Sequence, residues 1–141
     1  MSNKALVREY LKAFNDRDQD TLSSSLAPDA VEHGIHEIHE GEEAIVQLLD
    51  AHFTAFPDYR GRTHAIIEEG DTVAVRYSAE GTHTGEYEDI DPTGLAATWT
   101  GMAMYRVEDD QIAEIWIEED RLGLLEQLEF VKESEPAHLR L

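Results

Sequence analysis

The chain has 141 residues, 41% of them hydrophobic, with 31 acidic against 11 basic side chains and a formal net charge of -20. That length suits one domain burying roughly 68–70% of its unfolded surface, and the charge argues against a phosphate backbone as partner. The absence of cysteine excludes disulfides and thiolate metal sites.

The acids are not gathered in a tail but recur at presumed turns, as at Asp16/Asp18/Asp20, Glu42/Glu43 and Glu108/Asp109/Asp110. A surface that repels itself in this way is expected in a saline, halophilic cytoplasm, where molar salt shortens the screening length to ~3 Å. The N-terminal MSNKALVREY lacks the apolar core of a signal peptide, and no run approaches the ~18 apolar residues of a membrane span. A cytoplasmic location without membrane contact is therefore expected.

In chain order, Leu6, Val7, Tyr10, Leu11 and Phe14 mark one face of a first helix, which ends in NDRDQD. Leu22 and Leu26 predict a short second helix, capped by Asp20 and followed by Pro28. Gly41 precedes a third, whose Ile45, Leu48, Leu49, His52, Phe53 and Phe56 keep helical spacing until Pro57. Four strands follow: RGRTHAIIEE, TVAVRYSAEGTH, AATWTGMAMYRV and QIAEIWIEED. They are joined by turns at Gly70–Asp71 and Glu108–Gln111 and by a loop carrying DPTG. LGLLEQL closes the domain as a short helix, giving one domain over 1–128 and a polar tail over 129–141. Helices first and strands afterwards predict an α+β fold, a mainly antiparallel sheet with helices on one face.

Alternation in the second strand puts Val73, Val75, Tyr77, Ala79, Gly81 and His83 on its inner side. In the last strand the same counting pairs Trp116 with Asp120 on the pocket side and sends Ile115 and Ile117 outward. Glu114 and Glu118 share the parity of Trp116, which requires an acidic rim or a bulge. Two outward isoleucines in mid-strand predict a covered outer face, and hence a homodimer centred on Ile115 and Ile117.

Several segments occur together in an order shared with a known family. They are EYLKAFNDRD at Glu9–Asp18, PDAVEH at Pro28–His33, AFPDYR at Ala55–Arg60 and EGDTVAVRYSAEGTHTGEY at Glu69–Tyr87, followed by DPTG at Asp91–Gly94 and WIEEDRLGLLEQL at Trp116–Leu128. The chain resembles the SnoaL-like polyketide cyclase (ester cyclase) group of the NTF2-like superfamily. The resemblance implies a cone-shaped α+β barrel, in which a curved sheet and N-terminal helices close an apolar pocket. It further implies an intramolecular aldol-type cyclisation or isomerisation of a small apolar or polyketide-like molecule, without metal or cofactor. The acid/base of that group, late in the last strand, matches Asp120. Relatives on this fold also include epoxide hydrolases and non-catalytic binding domains, so hydration and simple ligand binding are the alternative readings. Three features depart from the group: Glu119 stands where it often has an aromatic or apolar residue, DDQI at Asp109–Ile112 replaces its usual DGKI turn, and no histidine occupies the neighbourhood of Arg106.

On spacing alone Asp120 is a strand-end acid or the cap of the last helix; with the resemblance it becomes the pocket acid/base. His83, in GTHTG, is either a satisfied core histidine or a donor that polarises a substrate carbonyl. His33, His36 and His39 recur every third residue, but Gly34 argues against a helix and no thiolate is at hand. No metal site is expected there, and His33 alone is assigned to the pocket. Tyr10, Phe14, Phe53, Phe56, Trp99 and Trp116 are expected in the core and the pocket wall, with His64 as a further inward side chain.

Overall fold

The computed structural model describes residues 1–34 and 37–130. Helix α1 (Asn3–Asp16) starts at Ser2, whose side chain accepts from the Ala5 amide, and buries Leu6, Val7, Tyr10 and Ala13. Helix α2 (Gln19–Ser25) starts at Asp18, not Asp20, because the Asp18 carboxylate accepts from Thr21 N. Helix α3 (Glu42–Ala55) follows Gly41, whose φ of 94° suits a residue without a side chain. It buries Ile45, Leu49 and Ala55.

Six strands form one sheet in the order β2-β1-β6-β5-β4-β3. The four strands read from the sequence are β3 (Arg60–Glu69), β4 (Thr72–Thr82), β5 (Ala96–Glu108) and β6 (Gln111–Glu119), all paired antiparallel. Two more precede them, β1 (Leu26–His33) and β2 (Ile38–Glu40). Leu26 thus opens a strand and does not continue α2. β1 runs parallel to β6, so the sheet is mixed. Helix α4 (Arg121–Gln127) ends the domain, and Gln127 bonds both the amide and the carbonyl of Thr98. No helix among the described residues is long and apolar enough to cross a membrane.

β4 and β5 alternate as their sequences require, with Val73, Val75 and Ala79 and then Trp99, Ala103 and Tyr105 inside. The last strand reverses the expectation. Ile115 is 1% exposed and Trp116 36% exposed, and Glu114 and Glu118 share Trp116's face. Turning Trp116 inward would bury two carboxylates with it, which costs far more than leaving one indole edge in water. Ile115 and Ile117 therefore face the core, and they are not the centre of an outer interface.

Two apolar clusters result. One joins α1, α2 and α3 to the middle of the sheet around Val7, Leu22, Ile45, Val75 and Ile115. The other, around Phe56, Trp99, Tyr87, Leu124 and Leu128, closes the far end.

Candidate active site

Between α1, α3 and the concave face of the sheet lies a cavity of about 600 Å³. Its wall combines apolar side chains such as Leu11, Leu49, Ile115 and Ile117 with five tyrosines and four glutamates, Glu32, Glu37, Glu88 and Glu119. A space of this size suits a small organic molecule.

Glu32 reaches the cavity from β1. It shares parity with Ala30, which is fully buried, and is itself only 3% exposed. Its carboxyl is hydrogen-bonded to none of the described residues. Burial first, and the charge of Glu119 second, push its pKa up to about 7. Tyr10 on α1 and Tyr105 on β5 stand nearby, their rings edge to face at 5.9 Å. Burial, reinforced by the Glu32 charge, raises the pKa of both phenols, so both remain O–H donors at neutral pH. Neither hydroxyl has a hydrogen-bond partner among the described residues.

Glu119 is four residues along β6 from Ile115, the register partner of Glu32, a Cα offset of roughly 13 Å at strand rise. The two acids therefore mark separate poles of the cavity floor. The Tyr77 hydroxyl donates to Glu119 Oε2 at 2.5 Å and the Trp99 indole at 3.4 Å. Gly101 on β5 makes this possible: a Cβ there would come within 2.5 Å of the Tyr77 hydroxyl and 3.0 Å of Glu119 Cγ. His52 of α3, whose pKa burial lowers, also lines the wall as a neutral imidazole. Near it Arg121 donates to the Tyr87 hydroxyl at 3.1 Å and pairs with Glu88, tying the β4–β5 loop to the start of α4.

The residues expected from the sequence fall in several places. Tyr10 and Phe14 line the cavity. Phe53 packs against Phe14 and Tyr59, while Phe56 and Trp99 belong to the second cluster and support the site from behind.

Asp120 is exposed and caps α4, its Oδ1 accepting from Gly123 N at 2.9 Å. One residue beyond Glu119, it has left the inward parity of Ile115 and Ile117, and the cap role takes it. His83 is fully buried but lies outside the cavity wall. Thr93 N bonds its Nδ1 at 3.2 Å, and its ring packs on Phe56 and Tyr87. It joins the two ends of the β4–β5 loop, where His83 N also donates to Leu95 O and His83 O accepts from Gly94 N.

His33, His64 and Trp116 point away from the cavity, to the other side of the sheet. His33 Nε2 lies 2.6 Å from Glu114 Oε2 and its ring stacks on Trp116, while His64 bonds the Ser78 hydroxyl at 2.8 Å. Strand parity explains all three, since Glu32, not His33, takes the inward position and a bulge follows Thr63. Of the histidine triplet, His39 lines the cavity and His36 lies outside the described residues.

Comparison with known proteins fits this geometry. The profile of the SnoaL-like polyketide cyclase family matches residues 4–128. The chain is similar to AclR, a hydroxylase candidate from Streptomyces galilaeus, with 28% identity over 97% of this chain and 90% of that one and a TM-score of 0.83. It is similar to IdmH, a polyketide cyclase candidate from Streptomyces antibioticus, with 33% identity over 92% of this chain and 99% of that one and a TM-score of 0.78. An LEH-like epoxide hydrolase from M. tuberculosis shares the fold, at 17% identity over 89% of this chain and 88% of that one, with a TM-score of 0.73. Among curated proteins, none matches the chain. With the family profile spanning α1 to α4 and the same cavity-forming fold in these relatives, the chain belongs to the SnoaL-like polyketide cyclase family of the NTF2-like superfamily.

Proposed function

We propose that this protein is an enzyme that transfers a proton at a carbon next to a carbonyl, with Glu32 as its acid/base. The observation that carries the reading is the state of Glu32: buried, open to the cavity, without a hydrogen-bond partner among the described residues, and with its pKa pushed up to about 7 by burial. A group of that pKa divides between acid and base at neutral pH, which favours transfer in both directions. Glu32 takes the carbon-bound proton, and the electron pair left behind moves onto the carbonyl oxygen. The Tyr10 and Tyr105 hydroxyls donate to that oxygen and stabilise the charge that develops there. The enolate carbon then attacks a second carbonyl of the same molecule, closing a ring, or is reprotonated at another position. Glu32 returns the proton in either case. Glu119, held by Tyr77, supplies a second polar anchor at the other pole.

The likeness to IdmH, a polyketide cyclase candidate, supports a polyketide-like substrate with several carbonyl groups. Epoxide hydration needs several polar partners on one wall and finds less support, since Arg76 is exposed on the opposite face of β4. A purely binding cavity gives no reason for a carboxyl and two phenols that have no hydrogen-bond partner among the described residues.

The test is exchange of α-protons of aromatic β-keto esters in D2O, followed by NMR. Wild-type protein should accelerate exchange, and Glu32→Gln should lower the enzymatic rate by at least ~10²-fold while the fold persists. Asp120→Asn should leave it within about twofold, because asparagine also caps helices well. Undiminished exchange in Glu32→Gln, or a large loss in Asp120→Asn, contradicts the proposal.

A further inference from the structure

The second pole of the cavity holds more hydrogen-bonding capacity than the protein itself uses. The two donors that reach Glu119, the Tyr77 hydroxyl and the Trp99 indole, meet the same oxygen, Oε2. Its Oε1 has no hydrogen-bond partner among the described residues, and Arg121, the nearest cation along the chain, is committed to Tyr87 and Glu88. Tyr59, which precedes β3, lines the same cavity, its ring 6.1 Å from that of Trp99. Phe14 and Phe53 pack against it at 5.1 and 6.2 Å and hold the ring in place. Tyr59 is 9% exposed, and its hydroxyl is likewise without a partner among the described residues. Burial first, and the Glu119 charge second, raise the pKa of this phenol, so it remains an O–H donor at neutral pH.

The two unused groups ask for opposite things. A carboxylate oxygen only accepts and calls for a donor, whereas the Tyr59 phenol has a proton to give and calls for an acceptor. A ketone or an ether would take that proton but set its lone pairs against Glu119. An ammonium group would satisfy Glu119 and leave the Tyr59 proton unused. A hydroxyl group is donor and acceptor at once. We propose that this pole binds a hydroxyl group of the substrate, whose O–H donates to Glu119 Oε1 and whose oxygen accepts from Tyr59. Tyr77 and Trp99 hold the carboxylate from one side, in the room that Gly101 leaves, so Oε1 is the oxygen open to a ligand. The hydroxyl stands at the far end of the molecule from the reacting carbonyl, because Glu32 and Glu119 are roughly 13 Å apart along the cavity floor. Its position relative to that carbonyl rests on the proton-transfer reading, but its binding does not.

Three naphthyl β-keto esters that differ only at the far ring position, carrying a hydroxyl, a methoxy group or hydrogen, test this by titration calorimetry. The wild type should bind the hydroxyl compound at least about tenfold more tightly than either of the others. In Glu119→Gln, Tyr77 and Trp99 keep the amide oxygen and the amide nitrogen, a donor, replaces Oε1. The hydroxyl and methoxy compounds should then bind within about twofold of each other. Tyr59→Phe should weaken the hydroxyl compound by about fivefold or more and leave the hydrogen compound nearly unchanged. Glu32→Gln, in which exchange is lost, should keep the wild-type preference. A wild type that keeps the preference but does not accelerate proton exchange therefore refutes the proton-transfer reading alone. Equal binding of the hydroxyl and methoxy compounds by the wild type, or no binding of either, overturns the hydroxyl site. So does a preference that survives Glu119→Gln.

Discussion

Glu32 and Glu114 lie on neighbouring strands one register step apart, Glu32 opposite Ile115 and Glu114 opposite Val31, yet the sheet sends one to each face. On the concave side Glu32 loses water and gains no hydrogen-bond partner among the described residues, and its pKa rises to about 7. On the convex side His33, and after it Arg106, hydrogen-bond the Glu114 carboxylate and hold its pKa below the ordinary carboxylate value. Residue type is the same in both, so the difference is environmental: desolvation without compensation favours the neutral acid, and charge-assisted hydrogen bonds favour the anion. The concave face thus keeps Glu32 available for a ligand, whereas the convex face satisfies Glu114 within the protein.

The strongest test of this division is a lysine on either side of β6. Ile115→Lys puts an ammonium group into the main cluster, where Glu32 opposite offsets only part of its lost hydration, and should destabilise by at least about 3 kcal/mol or prevent folding. Trp116→Lys, one residue away, faces water and should cost no more than about 1 kcal/mol. Chemical denaturation of both variants decides the parity. Equal stability would mean that the two faces of β6 have been misassigned.

The inward alternation of β4 was legible in its sequence because an apolar residue recurs at every second place from Val73 to Ala79. In β6 the alternation is nearly absent, for Ile115, Trp116 and Ile117 are apolar in succession. Only the cost of burying Glu114 and Glu118 fixes the register, and the indole outweighed it in the reading. That single step misplaced Asp120 and Trp116 and hid Glu119. β1 escaped notice for another reason. Pro28, Asp29 and Glu32 weaken it as an isolated strand, and its hydrogen-bonding partner β6 is about eighty residues away. Had Leu26–His33 been read as extended, Ala30 would have pointed to Glu32 as the inward acid. Alternation sends Tyr77 inward, yet nothing in the sequence marks Tyr59, Tyr77 or Tyr105 as a cavity residue, because a core phenol and a cavity phenol look alike there.

A smaller effect is the pH dependence contributed by Glu32. Its folded pKa, about 7, exceeds the value of 4.5 expected for the unfolded chain, so the native state binds the extra proton between those limits. Its contribution to stability is complete below pH 4.5 and is lost as pH rises through about 7. Glu32→Gln removes this loss. It should raise stability at pH 8 by roughly 3 kcal/mol, the equivalent of two to three pKa units, and change little at pH 4. Thermal melts at both pH values check this, and a variant no more stable than wild type at pH 8 would mean that Glu32 is not desolvated.

The smallest effect is expected across the sheet, and with the opposite sign. Glu114 has a folded pKa below its unfolded value, so its contribution is present above about pH 4.5 and is lost as pH falls through the folded pKa. Its side chain is 25% exposed, and the partners His33 and Arg106 are 32% and 34% exposed, so water screens the pair. Glu114→Gln should therefore cost no more than about 1 kcal/mol at pH 7, in the range of surface ion pairs. The cost should vanish as pH falls through the folded pKa, where the wild-type carboxylate is itself protonated. A loss at pH 7 as large as the gain in Glu32→Gln would show that Glu114 is shielded from water, and the contrast between the two faces would then fail.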